Sequence, residues 1–558
     1  MQVPTVIGSV LLALVLPYVL KRFLYPRPIP GIPYDPISVK RFMGDAPDIA
    51  AIYKDLTQWT VPIARRSLKL GSPIHQVFMR PFSKPFVVVD DPREVSDIVN
   101  RRNREFDRTT VHGVWRTLLP FSTIAQLSTP EFKAQRKAWQ DAMAPDFLRR
   151  VVAGHVYSAT AGLIKLWAVR AAQTGGRPID VSEDFSFAAL DAIWTATFGE
   201  NLQLVHSEIE KLQTGKEPDP KGLDMHSTVG YINQLAILWR GSLWPAFSTW
   251  RIQRSSTFRK YKEIRDREID RILRDATARF KRVLNGSGDG EEYETCVMDM
   301  VLRRNMLAAQ KAGKPTPDAT KDPRIRDELL LFIYAGHDTT STTLQWFVKY
   351  MTNNPSSQAR LRAALRSAFP GGGLPDVAQI LGADVPYLSA AMEETLRCAT
   401  PASRLTRVAT VDTEILGHRI PAGTEIVGNA YVGWVPTPVP ENARSPSSRA
   451  AVEKAGRGDW TRGPGALDLD TFAPERWLRV DKKGDEVFDA GALPQNAFGG
   501  GPRGCFGRRL AMIELKIMIV LVIMSFKLLS LPPELNSSQV YEVLLRTPRQ
   551  CFVKLEAV

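Results

Sequence analysis

The stretch FGGGPRGCFG, residues 498–507, runs directly into RRLAMIELKIMIVLVIM, a mostly apolar segment of helical character. Glycines at 499, 500, 501, 504 and 507 permit positive φ and close backbone approach, so the loop can wrap a flat cofactor face and aim amides at the Cys505 sulfur. Those amides, with the N-terminus of the following helix, favour a thiolate. Cys296, Cys398 and Cys551 stand far from Cys505 and from one another. With no CxxC pair and no zinc-ligand spacing, they point to a reducing compartment and exclude a disulfide framework.

Upstream, AGHDTT at 335–340 sits in LLLFIYAGHDTTSTTLQWFVKYM. Opened by Pro323, this pattern predicts a helix of about 28 residues, apolar on all sides in its middle and therefore crossing a core. Gly336 costs about 1 kcal/mol in a helix interior, which is explained if it leaves room for a small ligand against the backbone. MEETLR sets Glu394 and Arg397 three apart on one helical face, by itself an ordinary ion-pair spacing. Among the seven histidines there is no HExxH or other paired metal site, and His337 reads as an ordinary helix histidine.

The remainder of the 558 residues, 44% hydrophobic and 24% charged, is ordinary for a packed globular protein. Helical patterning dominates from about Pro92 to Leu284, after short alternating runs, HQVFMR and PFVVVDDP, that read as a small sheet. The segment from Pro436 to Asp470, rich in proline and glycine and poorly periodic, reads as an irregular surface insertion. Residues 1–20 carry no charge and are long enough to cross a bilayer, with Lys21, Arg22 and Arg27 behind them, so a transmembrane anchor over 1–20 and a proline-rich linker over 21–36 are expected. The formal net charge of +14 lacks any accompanying nucleic-acid motif, so no nucleic-acid partner is expected.

The 498–507 loop resembles the haem-binding loop F-x-x-G-x-R-x-C-x-G of the cytochrome P450 family, matched at Phe498, Gly501, Arg503, Cys505 and Gly507. A chance match in a chain this long is on the order of one in ten thousand. AGHDTT resembles the same family's oxygen-side helix motif, and Arg476 in FAPERW completes what resembles its Glu-Arg-Arg triad with Glu394 and Arg397. The resemblance implies a mainly α fold with a small β-sheet subdomain, the cytochrome P450 fold, over residues 37–558. It implies haem b (iron protoporphyrin IX), with Cys505 as iron ligand, Asp338 and Thr339 as proton-delivering residues, and Arg136, Arg407 and Arg503 as cations for the haem propionates. Phe498 and Gly507 complete the cofactor contacts. Two departures stand out: Phe132 replaces the usual tryptophan four residues before Arg136, and Gln135 stands where histidine is frequent.

The family further implies a monooxygenase that inserts one oxygen atom from O2 into a small lipophilic substrate. NADPH acts indirectly, through an NADPH-dependent flavin reductase, for which Arg503, Arg508, Arg509 and Lys516 offer a basic face. With the anchor, it implies contact with membrane lipid and a single-pass location in the endoplasmic reticulum membrane, the catalytic domain cytoplasmic. The overall style resembles fungal secondary-metabolism members, and Val114, Leu118, Phe121, Ile124, Phe332, Ala335, Ala402 and Leu405 make an apolar lining suited to a bulky lipophilic metabolite. Three alternatives stay open at this point: a fatty-acid hydroxylase using Arg404 for the chain carboxylate, a haem-thiolate isomerase or dehydratase that does not activate O2, and a non-enzymatic haem sensor.

Overall fold

The structure is a computed structural model and describes residues 25–79, 83–108, 113–240, 244–284, 294–315, 318–430, 439–455 and 469–558. The chain gathers into two compact units. One combines the chain up to Thr109 with Ser403–Leu469 and Gly499–Arg503; the other combines Thr110–Ala402, Asp470–Phe498 and Gly504–Val558. Helices predominate and the strands are short, as expected for the mainly α class with small sheets.

The first unit is built on a five-stranded sheet in the order Ile74–Val77, Phe86–Val89, Glu425–Asn429, Arg404–Ala409, Phe106–Asp107. Its β-branched run obeys the two-residue alternation of a pleat: Val87 and Val89 pack with Val95, Ile98 and Ile426, while Val88 packs with Ile49 and Val77. Antiparallel pairing sets Asp107 opposite Val408, and Arg407 opposite Ile426. The helix Pro92–Asn100 starts at Asp91, whose side chain accepts from the Glu94 amide at 2.8 Å. Gly428 lets this helix approach the sheet, since a Cβ there would lie 3.0 Å from Val95.

The expected irregular insertion over 436–470 is corrected in its described part. Glu441–Ala443 forms a 3-10 turn and Pro446–Ala455 a helix. Arg444 is buried and donates to both Asp91 carboxylate oxygens at 2.7 and 2.9 Å, and Ser445 and Ser447 donate to Asp97 at 2.7 and 2.6 Å. These partners lie some 350 positions away in sequence, beyond the reach of any local pattern.

In the second unit the predicted long helix runs Pro323–Asn353, 31 residues, with Pro323 at its first turn and Asp322 accepting from the Arg324 amide at 2.9 Å. Leu329, Ile333, Phe347 and Met351 are fully buried along it. The helix Arg508–Ser525 that follows the cysteine loop is hydrophobic all round where it crosses the core, with Ile517 through Ile523 all buried.

The expectation of a single-pass anchor in the endoplasmic reticulum membrane is corrected. No helix among the described residues is long and apolar enough to cross a membrane. The helix Arg508–Ser525 carries Arg508, Arg509, Glu514 and Lys516 and buries its apolar residues in the protein core. Residues 1–20, where the span was expected, lie outside the described residues.

Candidate active site

In the second unit, the cysteine loop closes through the Cys505 amide, which donates to the Phe498 carbonyl at 2.8 Å. Cys505 is exposed, whereas Cys296, Cys398 and Cys551 are buried. Protein crowded around the Cys505 sulfur raises its pKa; the Gly507 amide and the Arg136 and Arg508 charges pull it the other way. For Cys296 and Cys551 burial drives the thiol well above its usual range, and Cys398 is pushed up to about 12, so these three are inert small side chains.

Arg136 is set by the helix Pro130–Ala138, where Thr129 caps the first turn. Its guanidinium donates to the Gly504 carbonyl at 2.8 Å and stacks 5.1 Å from the Phe506 ring centre. Arg136 therefore braces the cysteine loop. The two departures at its helix are accounted for structurally: Phe132 is buried, and Gln135 donates to Glu328 at 2.9 Å and to the Phe121 carbonyl at 3.0 Å. Phe498 lies under the Arg508 guanidinium at 5.5 Å.

Glu394, Arg397 and Arg476 come together. Arg397 grips Glu394 with two hydrogen bonds of 2.8 Å, and Arg476 Nε approaches the same carboxylate at 3.0 Å. The Trp477 indole and the Ala473 amide each donate to Glu394 at 2.9 Å, and both arginines donate to the Thr471 carbonyl at 3.0 Å. The buried carboxylate thus pins residues 471–477 to the helix Pro386–Ala399.

On the long helix, Thr339 donates its hydroxyl to the Ala335 carbonyl at 2.7 Å, and Asp338 accepts from the Asn233 amide nitrogen at 3.2 Å. Ala335 is exposed and Phe332 nearly buried, its ring 6.2 Å from that of Phe506. Thr340 faces elsewhere and donates to Glu514 at 2.8 Å, whose carboxyl is pushed up to about 7 by burial. Gly336 does not fit its expected role. A Cβ there would fall 2.8 Å from Ile193 Cγ1, so the glycine serves close packing against the helix Ser182–Phe198.

In the first unit, Arg407 and Arg503 are joined by a residue the sequence reading missed, Arg108. Its pKa falls to about 9, chiefly through burial and then through the Arg503 and Arg407 charges, with Asp107 opposing; that of Arg407 falls to about 10 through burial. Arg108 Nε is buried without a hydrogen-bond partner. Its only signal in the sequence is strand register: Arg108 directly follows Asp107, which pairs with the neighbour of Arg407. The glycines of the loop also answer to the first unit. Gly501 has φ +61°, and a Cβ on it would lie 2.5 Å from the Val99 carbonyl; one on Gly500 would overlap the Asn100 side chain. Gly507 meets nothing within 4 Å.

A family profile described as cytochrome P450 matches residues 69–432 and 469–555, passing over the insertion. A cytochrome P450 monooxygenase of Pestalotiopsis microspora, GME11363, is 31% identical over 99% of this chain and 98% of its own. TRI13, a cytochrome P450 monooxygenase of Fusarium sporotrichioides, is 32% identical over 97% of both chains. The crystal structure of the cytochrome P450DA heme domain superposes with a TM-score of 0.65 at 18% identity, covering 96% of this chain and 98% of that one. The chain belongs to the cytochrome P450 family and is an oxidoreductase of the haem-thiolate monooxygenase class.

Proposed function

We propose that this protein, acting as one domain over residues 37–558, inserts one oxygen atom of O2 into a bulky lipophilic metabolite of secondary metabolism. The residues present fit haem b. Its two propionates are carboxylates, and Arg108, whose buried Nε has no hydrogen-bond partner, lies in the field of the Arg407 and Arg503 charges. Cys505 offers the family's accessible sulfur, and that sulfur is the observation that carries the reading. When bound, the haem supplies reductive activation of dioxygen, with electrons drawn from NADPH through a flavin reductase.

The chain's own residues then have distinct tasks. Cys505 would hold the iron, and the Gly507 amide would stabilise negative charge on its sulfur. Arg136 fixes the loop through Gly504, and Phe498 shields it. Thr339 and Asp338 hold protons on one turn of the long helix, where Thr339 releases its hydroxyl from Ala335 to reorient. Glu394, Arg397 and Arg476 are structural. Arg508 and Arg509 are exposed and support docking of an acidic reductase surface, whereas Lys516 is turned to the Ala383 carbonyl at 2.7 Å.

Among the expected lining residues, Val114, Leu118 and Phe332 belong to the packed core, while Phe121 and Ala335 are exposed, so the apolar surface offered to a ligand centres on the latter two. Replacing Cys505 with serine is expected to abolish the thiolate-type Soret band of the reduced carbonyl complex, whereas serine at 296, 398 or 551 retains it. Spectral titration then tests the substrate class. A neutral polycycle should give a type I shift that survives Arg404→Ala; shifts with fatty acids alone, lost in that variant, would reverse the assignment.

A further inference from the structure

Behind the proton-bearing turn, a cavity of about 500 Å³ is lined by Ser182, Glu183, Ser186, His226, Asn233 and Asp338, among others. The Ser186 hydroxyl lies 2.8 Å from His226 Nε2 and 2.8 Å from His337 Nε2. His337 is 2% exposed, and its Nδ1 has no hydrogen-bond partner but lies 3.7 Å from Asp338 Oδ1. A serine hydroxyl has one proton, so between two neutral imidazoles it donates to one Nε2 and accepts from the other. Burial keeps both rings neutral at pH 7, holding His226 near 4 and His337 below its usual range. A histidine pair that served packing alone would need neither a hydroxyl between the rings nor a bare ring nitrogen turned toward a carboxyl group.

We propose that His226, Ser186 and His337 form a proton relay that carries protons from the cavity to Asp338. In the loading state His226 donates Nε2–H to Ser186, Ser186 donates to His337 Nε2, and His337 Nδ1–H faces Asp338. A proton from cavity water binds His226 Nδ1. The Nε2 proton of His226 passes to the serine oxygen, the serine proton passes to His337 Nε2, and the Nδ1 proton of His337 passes to Asp338 Oδ1 as the 3.7 Å gap closes. One proton enters and one leaves, and no electron moves. Each ring ends in its other tautomer, and reset is by rotation of the hydroxyl and exchange of the rings with cavity water. The relay residues act through Asp338, so the inference rests on the proton-delivery reading of that residue.

The test uses the full chain loaded with haem, with NADPH and a flavin reductase and no added substrate, following NADPH oxidation in H2O and D2O together with peroxide release. Ser186→Ala is expected to slow NADPH oxidation on the order of tenfold and to change the solvent isotope effect, with Ser186→Thr restoring both. Imidazole ¹⁵N shifts in the resting protein should show His226 as the Nε2–H and His337 as the Nδ1–H tautomer, and Ser186→Ala should mix the two forms. If Asp338→Asn alters the isotope effect while Ser186→Ala and His226→Gln do not, the relay is overturned and the role of Asp338 stands. If Asp338→Asn itself changes nothing, the proton-delivery reading fails and the relay fails with it. The reduced carbonyl spectrum of each variant verifies that it has folded.

Discussion

Arg397 and Arg476 close on Glu394, a carboxylate whose two oxygens are further filled by the Trp477 indole and the Ala473 amide; Arg108 lies within the field of Arg407 and Arg503, its own Nε buried without a hydrogen-bond partner. In the first group two guanidiniums share one buried carboxylate whose oxygens are both filled by donors. In the second, burial weakens Arg108 and Arg407 as bases, with Asp107 opposing. A buried carboxylate saturated by donors belongs to the fold, whereas a guanidinium with a bare buried nitrogen among like charges is arranged for a guest of opposite sign.

The largest effect expected from this contrast is at the complete network. Glu394→Gln leaves Arg397 and Arg476 with uncompensated buried charge and should destabilise the protein by about 3–5 kcal/mol, read as a lowered urea midpoint in both haem-free and haem-loaded forms. A shift confined to the loaded form would instead make the network part of the cofactor site.

Gly501→Ala comes next, at about 1–3 kcal/mol, because a side chain must adopt φ +61° and meet the Val99 carbonyl. Gly507→Ala should cost only about 0.5–1 kcal/mol, the value of a helix cap, since its Cβ meets nothing. Equal losses at the two positions would break the distinction between a glycine that docks the loop and one that starts a helix.

The smallest effect has the most telling sign. Arg108→Met should stabilise the haem-free protein by about 1 kcal/mol by relieving like-charge repulsion, yet weaken haem retention about tenfold, measured as haem transfer to an excess of apomyoglobin. Loss of stability in the haem-free form would place Arg108 with the structural arginines.

Much of the site was legible because its chemistry is written at fixed local spacing. The loop from Phe498 to Gly507 and the Glu394–Arg397 pair lie within a few residues, and their neighbours are set by one turn or one helix. Arg476 was legible through FAPERW, although its meeting with Glu394 spans the chain. What could not be read depends on register or on which side of an element a residue faces. Arg108 reaches Arg407 only because Asp107 pairs with Val408. Gly336 sits where the motif puts it, but the helix Ser182–Phe198 claims its bare face through Ile193. His337, unremarkable in a helical pattern, gains its meaning from Ser186, about 150 positions away. The fold class was legible from periodicity, since the Pro323–Asn353 helix announces itself by its length and proline start.

Asp91 does two jobs at once: it caps the helix Pro92–Asn100, and it receives both prongs of Arg444 from the segment that the family profile passes over. The C-terminal turn of that same helix supplies the Val99 carbonyl and the Asn100 side chain against which Gly501 and Gly500 are seated. The segment that the family profile passes over and the glycines of the cysteine loop are therefore fastened to one nine-residue rod. Local opening of the rod should expose the Glu94 and Val95 amides to hydrogen exchange in step with release of Arg444, as a single cooperative unit. Grafting the insertion of a relative onto this chain would preserve the seat of the loop only if a guanidinium arrived with it at position 444 and hydroxyls at 445 and 447.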